Sequence, residues 1–349
     1  MRFLFVNWAF ENHGSAQDLY NYTRVARSLG HEIALYGPAN PSSPFTYTLD
    51  VSSADSVVFI FEFTTHLQHG DLLDLVRLVG KVPRRRRVVI DCDGDYDDMV
   101  RVVGDVNHRD PVASRQWIEI CDSLSDKIYQ PTFHPRRANV GTFIFHAYNA
   151  EWERRLDFGG KEYGMIYVGN NWFRWRGLHR VLKALEPIRD HVGRIGLVGQ
   201  GWDALAPWGG PALSEDAYHT DPEYLRAMGV DIRPPVRFDQ VVEWMSKGIF
   251  TPVIYRPLFD HLRLVTCRTF ETPAANTVPL FAQEAGFLKE IYGDQAVALA
   301  LGDHPSERIA DVLSRPERYA EVIQEIRRHL SVKHSYASRL RELINIVES

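Results

Sequence analysis

The stretch Leu262–Phe281 reads LRLVTCRTFETPAANTVPLF and combines a polar turn, a short helix and a buried strand. Thr266 has a residue type that caps helix starts, and Glu271 falls in the early turns of the helix that follows. Amides at a helix start lack carbonyl partners and bind anions. Arg263 and Arg268 add positive charge beside them, and a carboxylate at Glu271 suits paired hydroxyls such as those of a ribose. The stretch predicts either a phosphate site with a sugar clamp or an ordinary helix with a buried Arg–Glu pair.

The order of strand, loop, helix and strand appears at the amino terminus and begins again near residue 160. This alternation is typical of doubly wound α/β sheets with parallel strands. We therefore predict two Rossmann-like domains, over residues 1–155 and 156–330, followed by a terminal helix in residues 331–349.

Length and composition narrow the class of protein. The 349 residues suit two domains, and 45% apolar residues with a formal net charge of −5 indicate a globular chain without a general nucleic-acid surface. Three cysteines far apart argue against a zinc knuckle or disulfide framework and indicate a reducing compartment. No apolar run approaches the roughly 20 residues that cross a bilayer. The composition predicts a cytoplasmic enzyme or binding protein.

The amino-terminal half places polar residues directly after its predicted strands. Ligands of parallel α/β sheets bind at the carboxyl ends of the strands, so these residues are expected to line a cleft. The predicted acceptor-binding residues are Asn12, Gly14, Ser15, His66 and Asp91. His13, Glu62 and Asp93 are candidates for a catalytic base, because each is a titratable group at this edge. A surface-loop histidine is the other interpretation of His13.

The acidic turn DCDGDYDD, residues 91–98, allows three interpretations. Asp91-Cys92-Asp93-Gly94 resembles the first motif of haloacid dehalogenase phosphatases, although Asp95 replaces the threonine and the motif comes late in the chain. Alternating aspartates also resemble a calcium loop, but the twelfth position holds Val102 instead of glutamate. The third interpretation, a solvated cleft turn that contacts acceptor hydroxyls, requires no metal, and we favour it.

A second ligand loop is predicted in the carboxyl-terminal half, where GNNWFRWRG (residues 169–177) follows a strand and precedes a helix. Its glycines permit close approach of a ligand, and its arginines suit a diphosphate. Trp172 and Trp175 either stack on a ring or pack on the sheet. Gly199 and Gly201 mark another loop at the same edge.

Four motifs in residues 160–345 resemble the carboxyl-terminal half of GT-B-fold glycosyltransferases, in particular the CgeB-like (spore-maturation-type) and glycosyl transferase group 1-like families. The four motifs, in chain order, are VGNNWFRWRGLHRVLKAL, LVGQG, CRTFETPAANTVPLF and KHSYASRLRELINIV. The resemblance implies two Rossmann-like domains that face a cleft, with the acceptor on the amino-terminal domain. It also implies that the terminal helix packs back across both domains.

The resemblance assigns Glu271 to the ribose of a nucleotide sugar and the helix start near Thr266 to its diphosphate. With the residues above, the predicted donor site comprises Asn170, Arg174, Arg176, Gly199, Arg263, Thr266, Arg268, Thr269 and Glu271. Three positions depart from the family: Asn170 replaces an arginine, Arg263 replaces the first glutamate of a paired motif, and Asn276 replaces a glycine. Donor identity and stereochemical outcome therefore stay open.

We predict a hexosyltransferase-like enzyme that moves a sugar from a UDP-, GDP- or dTDP-linked donor to an acceptor hydroxyl. The acceptor is a small molecule, a saccharide or a protein, and nucleic acid is not expected as a partner. Arginines and helix amides would stabilise the leaving diphosphate, so no metal or other cofactor is expected. Resemblance points to a retaining reaction. The alternatives are a nucleotide-sugar epimerase of the same fold and a non-catalytic nucleotide- or carbohydrate-binding protein.

Overall fold

The protein forms two parallel β-sheets, one in each half of the chain, in a computed structural model. We call the parts that hold the seven-stranded and five-stranded sheets the amino-terminal and carboxyl-terminal domains. The structure describes residues 1–7, 14–38, 43–62, 78, 80–97, 100–103, 106–109, 111–171, 173–204 and 219–349.

The amino-terminal sheet has the strand order β3-β2-β1-β4-β5-β8-β9, and all of its neighbouring strands are parallel. The strands of this half are β1 (Arg2–Asn7), β2 (Glu32–Tyr36), β3 (Tyr47–Thr48), β4 (Ser56–Phe61), β5 (Arg87–Asp91), β6 (Val100–Val103), β7 (Val106–Arg109), β8 (Ile128–Gln130) and β9 (Val140–Thr142). Helices α1 (Gly14–Ser28) and α2 (Pro111–Leu124) accompany them. The antiparallel hairpin of β6 and β7 is separate from the sheet and was not predicted.

The carboxyl-terminal sheet has the order β12-β11-β10-β13-β14, again with parallel neighbours. Its strands are β10 (Tyr163–Val168), β11 (Ile195–Val198), β12 (Val230–Arg233), β13 (Gly248–Val253) and β14 (Val278–Phe281). The helices of this domain are α3 (Trp175–Leu185), α4 (Arg189–Val192), α5 (Pro222–Ala227), α6 (Val241–Met245), α7 (Pro257–His261), α8 (Cys267–Ala274), α9 (Ala285–Tyr292), α10 (Pro305–Ser314) and α11 (Ala320–Lys333). Short 3-10 turns lie at 84–86, 150–152, 186–188, 238–240, 294–299 and 316–319. The prediction of a doubly wound α/β fold with two sheets is confirmed.

The continuous apolar runs became the central strands because helices cover both of their faces. All six residues of β4 and all six of β10 are buried, as expected for parallel strands inside an α/β domain. Separate apolar clusters fill the two faces of the amino-terminal sheet, and one large cluster fills the carboxyl-terminal domain.

The last helix, α12 (Tyr336–Glu348), returns to the amino-terminal domain. Leu340 and Leu343 are buried in the same apolar cluster as Phe5 of β1, and the Tyr336 ring meets Tyr22 of α1 edge-on at 5.2 Å. The chain thus crosses between the domains twice. Among the described helices, none is both long enough and apolar enough to cross a membrane.

Candidate functional site

The carboxyl-terminal sheet reverses its strand order between β10 and β13, and this point defines a crevice at the carboxyl ends of the two strands. The loop that starts at Gly169 follows β10, and the segment leading to α8 follows β13. The glycine loop and the Arg–Glu helix of the sequence therefore meet at one crevice.

The start of α8 is built as predicted, with Thr266 as the N-cap. The backbone N–H of Thr266 donates to the Thr269 hydroxyl oxygen at 3.2 Å, and the hydroxyls of Tyr255 and Thr269 are hydrogen-bonded to each other. Thr269 is fully buried. Its hydroxyl supports the helix start from inside, while Thr266 and Arg268 stand closer to the surface.

Arg268 and Glu271 form a buried ion pair, with 3.2 Å between Nη1 and Oε2 and side-chain exposures of 13% and 2%. Neither of these two atoms has a hydrogen-bond partner among the described residues. Burial raises the pKa of Glu271, and the neighbouring Arg268 opposes that rise. A buried carboxylate oxygen without a donor costs free energy until a ligand supplies one. Oε2 of Glu271 can therefore accept a hydrogen bond from a ligand hydroxyl.

The glycine loops lie against Arg268. A Cβ on Gly169 would be 3.3 Å from Arg268 Nη2, and a Cβ on Gly199 would be 2.3 Å from the Gly169 carbonyl oxygen. The Asn170 side-chain oxygen accepts from the Gln200 N–H at 2.9 Å, and the buried Trp202 donates to the Gly169 carbonyl at 3.0 Å. Asn170 and Gly199 thus hold the two loops together, and sequence reasoning missed Trp202.

The predicted arginines have different surroundings. The backbone N–H of Arg174, at the start of α3, donates to the Asn171 side-chain oxygen at 3.3 Å, and Arg176 is half-buried in the first turn. Arg263 has a left-handed φ of 52°, and its guanidinium pairs with Glu284 beyond β14. Arg263 is thus already neutralised by a carboxylate.

An ion pair joins the two domains at the cleft. Arg256, after β13, lies 3.1 Å from Asp93, after β5, with side-chain exposures of 13% and 14%. Burial lowers the pKa of Arg256, Asp93 opposes this, and Arg174 adds to the lowering, so Arg174 lies within electrostatic range. Asp93 was predicted from the sequence, whereas nothing in the sequence indicated Arg256, because the two residues lie 163 positions apart.

The carboxylate of Asp91 holds its own turn together. One oxygen accepts from the N–H groups of Gly94 and Asp95, both at 3.0 Å, and the other accepts from the Tyr96 N–H and the Gln130 side chain, both at 2.8 Å. Asp91 is fully buried. In the described part of the turn, which stops at residue 97, no cluster of three potential metal ligands forms.

The remaining amino-terminal candidates divide into two groups. Glu62 follows β4 and is half-buried, beside the point where the order of the amino-terminal sheet reverses between β1 and β4. Gly14 and Ser15 begin α1. Asn12, His13, His66 and Trp172 lie outside the described residues.

A buried polar cluster that was not predicted lies within electrostatic range of Glu271. Asp18 of α1 accepts from the Tyr336 hydroxyl at 2.6 Å and lies 2.7 Å from His146 Nδ1. Burial opposes protonation of His146, but Asp18 outweighs it, so the pKa of His146 is raised, with a smaller contribution from Glu271. The Asp18 contacts span 128 and 318 positions. This cluster ties together α1, the link between the sheets and α12.

Solved structures share this two-domain architecture over the whole chain. T4 phage BGT in complex with its UDP-glucose substrate is 14% identical, with a TM-score of 0.61 and 100% of both chains covered. An alpha-glucosyltransferase in complex with UDP and a 13-mer DNA containing a HMU base is 13% identical, with a TM-score of 0.67 and coverage of 100% of this chain and 99% of the other. Residues 176–345 match the family model described as glycosyl transferase-like. The chain is a GT-B-fold glycosyltransferase.

The family match covers the part of the glycosyltransferase from α3 to α12 and includes the Arg268–Glu271 pair. No curated protein matches the glycosyltransferase in sequence. The family and the fold predicted from the four motifs are confirmed.

Proposed function

We propose that this glycosyltransferase uses a uridine diphosphate sugar and binds its ribose through Glu271. The Glu271 carboxylate carries the proposal, because it is 98% hidden from solvent and its Oε2 has no hydrogen bond among the described residues. A ribose diol supplies the two hydroxyl donors that such an oxygen needs. Uridine is the base we favour, because the similar structures contain UDP or UDP-glucose.

The diphosphate of the donor would lie at the start of α8 and against the Gly169 loop. Arg268 is adjacent to that loop, and the first amides of α8 have no carbonyl partner within the helix. Arg174 lies within electrostatic range of Arg256 and adds positive charge on the cleft side of the same crevice. Such fixed charges stabilise the negative charge that grows on a leaving diphosphate.

Because these groups can stabilise the leaving diphosphate, we propose catalysis without a metal ion. A solved structure of T4 phage BGT contains both UDP and Mn²⁺, so the metal requirement of this chain needs a direct test. We expect the rate of sugar transfer to be unchanged by EDTA and not raised by added Mn²⁺ or Mg²⁺. A rate that disappears with EDTA and returns with metal would overturn this part of the proposal.

The acceptor hydroxyl would enter from the amino-terminal domain, where Glu62 and Asp93 are the described candidates for a base. Asp93 is already paired with Arg256. A base is needed only if the reaction inverts the anomeric centre, and removing one then lowers kcat by about 10²- to 10⁴-fold. We propose retention, so Glu62→Gln and Asp93→Asn should both keep kcat within about tenfold, and NMR of the product should show the donor's anomeric configuration. An inverted product with a large kcat loss in one variant would refute retention.

The first test measures binding and transfer separately. Thermal shifts with UDP, GDP and dTDP identify the base, because a ligand of the folded state raises the melting temperature by mass action. UDP release from UDP-glucose is then followed with and without panels of saccharide, protein and DNA acceptors. Acceptor-dependent release supports the proposal. No shift with any nucleotide would refute it, and a changed sugar without any acceptor would identify an epimerase.

A further inference from the structure

A wide groove on the carboxyl-terminal domain lies beside the crevice of Arg268 and Glu271, and it shares Arg263 and Gly177 with the predicted donor region. Its volume is about 1150 Å³, just above the size range of ordinary ligand pockets. It is lined by residues of α3, α7, α9 and α10, by Arg263 between α7 and α8, and by the loops that follow β14 and precede α10. Neither Arg268 nor Glu271 is among its lining residues.

Gln283 shows that the groove is built for a polar ligand. This side chain lines the groove, is 6% exposed, and its Oε1 has no hydrogen bond among the described residues. A buried amide oxygen without a partner costs about 1–3 kcal/mol. A glutamine at this position is therefore costly unless a water or a ligand donates a hydrogen bond to it. The amide offers a donor and an acceptor together, which suits a hydroxyl group.

The rest of the lining matches a neutral polyhydroxylated ligand. The floor of the groove is apolar and buried, formed by Val181, Phe287 and Leu301, and charged side chains form the rest of the lining. The carboxylates outnumber the arginines, with Asp260, Glu284, Asp303, Glu307 and Asp311 against Arg180, Arg263 and Arg308. Arg263 pairs with Glu284, and Asp311 pairs with Arg315 and Arg318, so several of these charges are already compensated. The lining residues carry no net positive charge that would attract phosphates or nucleic acid, whereas sugar hydroxyls can donate to carboxylates and sugar C–H faces can cover the floor.

The groove also reaches the boundary between the domains. His261 lines it and contacts Arg136 of the amino-terminal domain, with 3.2 Å between Nε2 and Nη1. The next residue, Leu262, accepts a hydrogen bond from the Thr132 hydroxyl at 3.1 Å. We propose that the groove binds a neutral saccharide segment of the acceptor while the reacting hydroxyl enters the cleft. This assignment rests on the proposed sugar transfer and specifies the acceptor's class.

The test uses the full-length protein and a panel of neutral oligosaccharides, namely malto-, cello-, chito- and manno-oligosaccharides. We expect at least one of them to bind at millimolar concentration in saturation-transfer NMR. Gln283→Leu should weaken that binding tenfold or more, and Asp260→Asn should weaken it less. Gln324→Leu on the exposed face of α11 is the matched control and should leave saccharide binding unchanged.

Donor binding is measured in the same variants to separate the two proposals. Gln283→Leu should keep the wild-type Kd for UDP, so a loss confined to saccharide binding supports the groove. Saccharide binding that Gln283→Leu leaves unchanged, or no binding by any panel member, would overturn the assignment. Binding of oligolysine instead of saccharides would overturn it as well. If saccharides bind through Gln283 but UDP does not bind the wild type, the groove stands and the donor proposal fails.

Discussion

Replacing Glu271 by glutamine tests the ribose site through one hydroxyl of the ligand. In the wild type the 2′-hydroxyl of UDP would donate to a buried, charged carboxylate. Hydrogen bonds to charged groups contribute about 1.5–3 kcal/mol and neutral ones about 0.5–1.5 kcal/mol. Because 1.4 kcal/mol is tenfold in affinity, 2′-deoxy-UDP should bind the wild type about 10- to 150-fold more weakly than UDP. In Glu271→Gln the same comparison should give only about 2- to 12-fold.

The assay is isothermal titration calorimetry of UDP and 2′-deoxy-UDP with both proteins. Glu271→Gln also leaves Arg268 without its partner, and breaking a buried pair from one side can cost about 3–5 kcal/mol of folding stability. Glu271→Asp keeps the charge for Arg268 but shortens the reach to the ribose, so it remains informative if the glutamine variant unfolds. Glu243→Gln, on the exposed face of α6, controls for the loss of one carboxylate.

Equal binding of the two nucleotides to the wild type would refute a Glu271 clamp on the 2′-hydroxyl. The same discrimination in Glu271→Gln as in the wild type would place the hydroxyl elsewhere. Either result would leave Arg268 and Glu271 as a structural ion pair.

Three further outcomes are expected. Arg268→Gln should weaken UDP binding about tenfold or more and change uridine binding little, because a charged hydrogen bond to phosphate contributes about 1.5–3 kcal/mol. Equal losses of affinity for UDP and uridine in isothermal titration calorimetry would contradict a phosphate role. Gly199→Ala should weaken UDP similarly, since its Cβ would lie 2.3 Å from the Gly169 carbonyl oxygen and would force the loops apart; unchanged affinity would show that the loops do not bind the donor. Burial lowers the pKa of His334 from 6.5 to about 3, so below pH 6.5 the unfolded chain binds a proton that the folded chain does not. The free energy of unfolding should therefore fall by about 2 kcal/mol between pH 6.5 and pH 5 through this residue, and urea titrations of His334→Gln should lack that part of the decrease.

The pattern of the chain was sufficient for the fold and for the helix that carries Arg268 and Glu271. Strand β10, the glycine loop and α3 follow each other within 23 residues, and helix α8 carries its own capping residues. Such features depend on residues that are neighbours in the chain, so they can be predicted from the sequence. The same signals misled in detail, because Thr269 faces the interior and Arg263 turns to Glu284. Thr269 is buried because its hydroxyl contacts Tyr255, and Arg263 is turned away because it pairs with Glu284 after β14. Neither contact can be read from the local sequence.

The amino-terminal candidates show the limit of reasoning from sheet edges. Asp91 follows β5 as expected, yet its carboxylate is consumed by four hydrogen bonds within its own surroundings. Asp93, two residues later, reaches the other domain and pairs with Arg256. The alternating aspartates of the turn do not reveal which carboxylate is hydrogen-bonded within the turn and which one reaches the cleft.

The sequence by itself determined the two α/β halves, the glycine loops and the helix with Arg268 and Glu271, because each depends on residues close together in the chain. Only the tertiary structure decided that Asp18, His146 and Tyr336 meet in one buried cluster, and that Gln283 lines a groove. These groups are brought together by the packing of α12 on α1 and by the docking of one domain on the other. Hydrophobic burial drives that packing without regard to sequence distance, so its consequences for polar side chains appear only in the folded chain.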